Sequence, residues 1–211
     1  MALPTRIFVT GTSTDIGKTV VSGVLVAGLR AHYWKPVQTG LNEGTDTDWI
    51  RRHTAIPESR IHRETYSLQQ PLSPHAAAVL EDVEIKLDAF AIPDVPVDDF
   101  LVVEGAGGIM VPLNRQHYML DLIKSLDIPV LLVADSQLGT INHTLLSLLQ
   151  LRRCGIAIIG VVMNGPKNQG NREALEFYGE APILAEIEQL ADLNPASLEI
   201  CFQQCFKSQE V

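Results

Sequence analysis

The chain is 211 residues long, 46% hydrophobic and 19% charged, which excludes a disordered chain and fits one α/β domain over residues 1–211. Its 25 acidic and 16 basic side chains give a net charge of −9, which argues against a nucleic-acid partner, and no apolar run approaches the roughly 20 residues of a membrane span. Three scattered cysteines make no disulfide framework, and the N-terminal segment lacks a charged region followed by an apolar one, so thiols in a cytoplasmic protein are expected.

The first apolar run, Ile7 to Val9, is expected as a strand and leads into Gly11-Thr-Ser-Thr-Asp-Ile-Gly-Lys-Thr19. A helix is expected from Gly17 to Leu29. Two glycines bracketing small residues, closed by Lys18 and Thr19 at a helix start, form a cradle for a triphosphate. Inward amides and the helix N-terminus meet phosphate oxygens, the lysine reaches the β- and γ-phosphates, and the threonine hydroxyl meets Mg²⁺. Five residues separate Gly11 from Gly17, one more than in the common pattern.

A short strand over Tyr33 to Val37 carries Trp34-Lys-Pro-Val-Gln-Thr-Gly40. Lys35 at its end is either a solvated surface lysine or, if buried, a group that needs an anion. A helix is expected over Asp46 to His53, where Asp46 reads as an N-cap and Asp48 as a second metal ligand. Pro71-Leu-Ser-Pro-His-Ala76 turns into a helix from Pro74 to Glu81, with His75 read as structural. A buried strand from Phe100 to Val103 delivers Glu104, followed by Gly105, Gly107 and Gly108, a carboxylate for Mg²⁺ beside a loop that passes close to a ligand.

Further strands are expected at Val130 to Ala134, at Ile156 to Met163 and, briefly, at Ile183 to Leu184, with helices at Asn142 to Arg153 and Asn171 to Tyr178. Apolar runs without alternation suit strands covered on both faces, and their alternation with helices predicts a doubly wound, mostly parallel sheet. Ligands of such sheets sit beyond the carboxyl ends of the strands. Leu138-Gly-Thr-Ile-Asn-His143 opens a helix whose free amides suit a carboxylate, and Asn164 stands where an adenine edge could be read or where Asn-Gly-Pro simply turns.

Together, Gly11 to Thr19, Lys35 to Gly40, Leu72 to His75, Glu104 to Gly108, Leu138 to His143 and Asn164 run in the order found in the dethiobiotin synthetases, which this chain resembles over nearly its whole length. The resemblance implies a P-loop NTPase fold and an ATP- and Mg²⁺-dependent ligase of biotin synthesis. Its substrates are 7,8-diaminopelargonic acid and CO₂ or bicarbonate, and its active site lies at the interface of a homodimer. It implies Lys18 and Lys35 around the γ-phosphate and carbamate, hydroxyls from Thr14 and Thr39, and Mg²⁺ held by Thr19, Asp48 and Glu104. Nucleotide contacts would come from Gly11, Thr12, Asp15 (near the ribose), Ile16, Gly17, Val20, Gly107 and Asn164. Ser73 and, from the opposite subunit, Gly139, Ile141 and Asn142 would hold the substrate. A competing reading is a partition- or septum-type switch ATPase, which carries an extra lysine early in the loop; here Thr12, Ser13 and Thr14 occupy that region. An amidotransferase-type ligase would bring a second, glutamine-hydrolysing domain, for which 211 residues leave no room.

Overall fold

A computed structural model describes residues 3–207. Its main sheet has seven strands: β1 (Arg6–Gly11), β2 (His32–Trp34), β4 (Ile61–His62), β6 (Leu101–Gly108), β7 (Val130–Asp135), β8 (Ile158–Asn164) and β9 (Ile183–Ile187). They lie in the order β4-β2-β6-β1-β7-β8-β9 and every pairing is parallel. β3 (Val37–Thr39) and β5 (Tyr66–Leu68) form a separate parallel pair.

Alternate residues of the central strands feed two cores. Ile7, Val9, Val102, Leu131, Val133 and Val162 face α1 (Lys18–Leu29), α2 (Asp46–His53) and α7 (Pro195–Phe202). Phe8, Leu101, Val103, Val130, Leu132, Val161 and Met163 face α3 (Pro74–Leu80), α4 (Met119–Leu126), α5 (Thr140–Arg153) and α6 (Gln169–Gly179). This two-sided cover is why the strands lack polar alternation. α7 packs against α1 so closely that a Cβ on Gly28 would lie 2.0 Å from the Phe202 ring.

The expected strand from Tyr33 to Val37 breaks at Lys35-Pro36. Proline has no N–H for the ladder, and beyond it the chain leaves the main sheet to pair with β5; the Pro36 carbonyl accepts from Thr65 and Tyr66. Two helices went unrecognised in the sequence, α4 and α7. α7 starts on an Asn194 cap reciprocated by Ser197, with Pro195 in its first turn. Among the described residues no helix is long and apolar enough to cross a membrane.

Candidate active site

The carboxyl ends of β1, β2 and β6 lie side by side, and strand register decides what meets there. Val9 pairs with Glu104 and Trp34 with Val103, so Lys35, one residue beyond Trp34, arrives beside Glu104. The loop after β1 curls back through Gly17, whose φ of 87° is a left-handed conformation that glycine adopts without strain. It thereby starts α1 with Lys18 and Thr19 aimed at the same spot.

Five side chains converge. Thr19 Oγ1 lies 2.6 Å from Asp46 Oδ1 and 2.9 Å from Glu104 Oε1. Lys35 Nζ lies 2.8 Å from Asp46 Oδ2 and 3.1 Å from Glu104 Oε1. Lys18 donates to the Ser13 carbonyl at 2.9 Å and, among the described residues, has no ion-pair partner. Lys18, Lys35 and Glu104 are all buried, Glu104 to 1% exposure.

The two lysines differ electrostatically. Burial pulls the Lys18 ammonium below the ordinary lysine range, and Glu104 only partly offsets it. Burial pulls at Lys35 too, but the Glu104 and Asp46 charges and hydrogen bonds outweigh it and hold Lys35 above that range. For Asp46, burial raises the carboxyl, while Lys35, the Thr19 hydroxyl and Lys18 more than offset this and leave it lowered. Lys18 is thus a buried, under-compensated cation at a helix start, a site that an anion would stabilise.

Asp48 does not join this group. Thr45, not Asp46, caps α2, its hydroxyl accepting the Asp48 N–H at 2.9 Å. Asp46 becomes the first helical residue and Asp48 the third. Two residues of helix rotate a side chain by about 200°, so Asp48 turns outward to Arg51, 2.6 Å away, with its side chain half exposed. The carboxylate of this turn that meets Thr19 and Lys35 is Asp46. The Thr-x-x-Asp pattern of a capping box from Thr45 is the signal that could have found it. Sequence reasoning also missed Gln38, whose Oε1 accepts the Asp46 N–H at 3.1 Å, and Tyr33, whose hydroxyl donates to Glu104 Oε2 at 3.0 Å.

The other expected residues are dispersed around this centre. Thr12 and Thr14 line a cavity of about 400 Å³ with Gly108, Met110, His143 and Leu146. A Cβ on Gly107 would lie 3.6 Å from Thr14 Oγ1. Asp15, left-handed at φ 58°, is exposed at the tip of the loop, while Gly11 and Ile16 are buried and Val20 partly so. Asn164 spends its amide nitrogen on the Ile16 carbonyl, 3.0 Å away, and so braces the loop. Thr39 ends β3; Ser73 caps α3 and its hydroxyl is 3.0 Å from His75 Nδ1. Gly139 precedes α5, with Ile141 and Asn142 in its first turn. A larger cavity, about 570 Å³, is lined by α3 and residues 113–116 and contains none of the converging groups.

An oxygen-only set of one hydroxyl and two carboxylates suits Mg²⁺, which needs few protein ligands when phosphates and water complete its shell. No group of three or more His, Cys, Asp or Glu side chains able to hold a metal occurs among the described residues.

A family model described as an AAA domain matches residues 5–197. The ATP-dependent dethiobiotin synthetase of Paramagnetospirillum magneticum is 50% identical over 192 residues, 91% of this chain and 92% of its own. That of Lawsonia intracellularis is 44% identical over 193 residues, 92% of each chain. Among solved structures, the MinC:MinD cell division protein complex of Aquifex aeolicus superposes with a TM-score of 0.52 at 13% identity, covering 92% of this chain and 85% of that one; this likeness shows the fold.

Proposed function

The chain belongs to the ATP-dependent dethiobiotin synthetase family, and from this premise we propose that it converts 7,8-diaminopelargonic acid, CO₂ and ATP to dethiobiotin, ADP and phosphate with Mg²⁺. One amine of the substrate adds CO₂ to become a carbamate. A carbamate oxygen attacks the γ-phosphorus and ADP leaves, giving a carbamic-phosphoric anhydride. The second amine then attacks the carbonyl carbon, closing the ring and expelling phosphate.

The observation that carries this reading is the meeting of Lys18, Thr19, Lys35, Asp46 and Glu104 at the ends of three adjacent strands. Phosphoryl transfer asks little covalent chemistry of a protein; it asks for alignment and for neutralisation of the charge on the transferred oxygens. Lys18 and the amides of the Gly11–Thr19 loop would hold the triphosphate. Lys35 has three donors and spends two on Asp46 and Glu104, which leaves one for an oxygen of the carbamate or the γ-phosphate. Thr19, Asp46 and Glu104 would hold Mg²⁺. When bound, the ion draws negative charge from the phosphate oxygens.

We assign the whole chain to one catalytic unit working as a homodimer. Leu138, Leu146, Leu149 and Met110 are exposed along α5 and beside the phosphate loop, and they support an apolar contact there. Gly139 to Asn142 of one subunit would then cap the carboxylate of the diamine bound to the other, with Thr39 and Ser73 contributing hydroxyls. Sedimentation of the intact chain should give twice the monomer mass; a monomer at micromolar concentration would remove this part of the reading.

Phosphate release from Mg·ATP, followed with diamine and bicarbonate present and then with each omitted, tests the reaction. Release that needs the diamine supports the synthetase. Release indifferent to the diamine but stimulated by DNA or lipid would replace it with a switch ATPase.

A further inference from the structure

Glu104 has donors on both carboxylate oxygens. Oε1 is the oxygen within reach of the Thr19 hydroxyl and the Lys35 ammonium, at 2.9 and 3.1 Å. Oε2 takes the hydroxyl of Tyr33 at 3.0 Å, in a contact wholly buried from solvent. Successive side chains of β2 point to opposite faces: Trp34 enters one core, and Tyr33 enters the other, which also holds Val21, Val24 and Ile50. Tyr33 and Lys35 therefore flank the same carboxylate, one donor for each oxygen.

The last torsion of a glutamate is broad and nearly two-fold, so packing of the methylenes does not fix the plane of its carboxylate. A donor on the rear oxygen does. We propose that Tyr33 is a positioning residue whose hydroxyl fixes the Glu104 carboxylate plane, so that Oε1 is presented to Thr19 and to the Mg²⁺ of the bound nucleotide. The proposal rests on the reading above that Glu104 serves the metal. The phenol is suited to the task because its ring is fully buried in the core it shares with α1 and α2, and its hydroxyl finds its partner in Glu104 without water.

The test is Tyr33→Phe in the full chain, which keeps the ring and removes the donor. Mn²⁺ is titrated against the protein saturated with a non-hydrolysable ATP analogue, and free Mn²⁺ is counted by electron paramagnetic resonance. Loss of a donor behind a metal ligand weakens metal binding by about 10- to 100-fold; Y33F should fall in that range while nucleotide affinity in EDTA changes by less than about twofold. In a Glu104→Gln background the same substitution should change Mn²⁺ affinity by less than about twofold, because Tyr33 acts through Glu104. Tyr33→Leu should match Y33F in Mn²⁺ affinity if the hydroxyl is what counts.

Unchanged Mn²⁺ affinity in Y33F would overturn the proposal. So would an equal loss in the E104Q background, or an equal loss of metal-free nucleotide binding. The proposed reaction is tested separately by diamine-dependent phosphate release from the unsubstituted chain. Its absence alongside the expected Mn²⁺ result would remove the reaction and leave the role of Tyr33 in place.

Discussion

Asp46 and Asp48 stand two residues apart in one turn of α2, and replacing each by Asn separates the site from its surroundings. Asp46→Asn removes a charge 2.8 Å from Lys35 and an anionic oxygen 2.6 Å from the Thr19 hydroxyl. At that separation the Coulomb term with Lys35 is about 1.5 kcal/mol in water and about 6 kcal/mol at an effective dielectric constant of 20. The Asp46 side chain is 32% exposed and Lys35 keeps Glu104, so the net loss falls near the lower end, about 1–2 kcal/mol, or roughly 2–8 °C in Tm for a chain of this size. Asp48→Asn loosens an exposed contact with Arg51, which also holds Glu58, and should cost no more than about 0.5 kcal/mol. The larger contrast lies in the metal requirement. D46N should raise the Mg²⁺ concentration for half-maximal, diamine-dependent phosphate release by about tenfold or more, and D48N should leave it unchanged. The acid limb adds a check. The Asp46 carboxyl is lowered in the fold, so its stabilisation is complete above the ordinary carboxylate value and disappears as pH falls through the lowered one. D46N should therefore melt with a shallower pH dependence below about pH 4. A raised Mg²⁺ requirement in D48N with none in D46N would refute the assignment.

Gly17→Ala should weaken nucleotide binding by at least about tenfold while the chain stays folded: the left-handed φ of 87° costs an L-residue roughly 1–2 kcal/mol, and the new Cβ would stand 2.1 Å from the Asn164 amide nitrogen that braces the loop. A nucleotide titration that gives the unsubstituted affinity contradicts that account. Lys35→Met strands the Asp46 and Glu104 carboxylates around Thr19 and should cost about 3–5 kcal/mol at neutral pH. Lys35 supplies the two largest influences that offset burial at the Asp46 carboxyl. Without it that carboxyl rises, so the deficit should shrink as pH falls towards the carboxylate range; parallel melting curves for the two proteins would count against it. The Cys201 thiol, 4.0 Å away, draws the Cys205 thiol down to about 7 through its hydrogen bond, against the pull of burial. Iodoacetamide should label Cys205 with a midpoint near that pH, and Cys201→Ser should move the midpoint upward; identical profiles would dismiss the pair.

What the sequence disclosed and what it hid divide along a physical line. Gly11 to Thr19 was legible because its pattern is contained in nine consecutive residues: the glycines, Lys18 and Thr19 are brought to one loop and helix start by covalent proximity alone. The strands were legible because burial on both faces leaves unbroken apolar runs, such as Val130 to Ala134. Asp46 was hidden by a shift of one residue in the helix cap, since each position of shift turns every side chain by about 100°. Strand β4, only two residues long, and the pairing of β3 with β5 leave no periodicity to detect.

Lys35 and Tyr33 were undecidable for a deeper reason. Whether Lys35 is a surface lysine or a buried donor depends on which strand lies beside β2. That neighbour is β6, and its Glu104 is 69 residues from Lys35 and 71 from Tyr33. The register Trp34 to Val103 sets both contacts at once. A single-residue slip would carry Glu104 past Lys35 and leave a buried carboxylate without its cation, at a cost of several kcal/mol. The ion pair and the register therefore specify each other, so a substitution that disturbs one should be visible as a disturbance of the other.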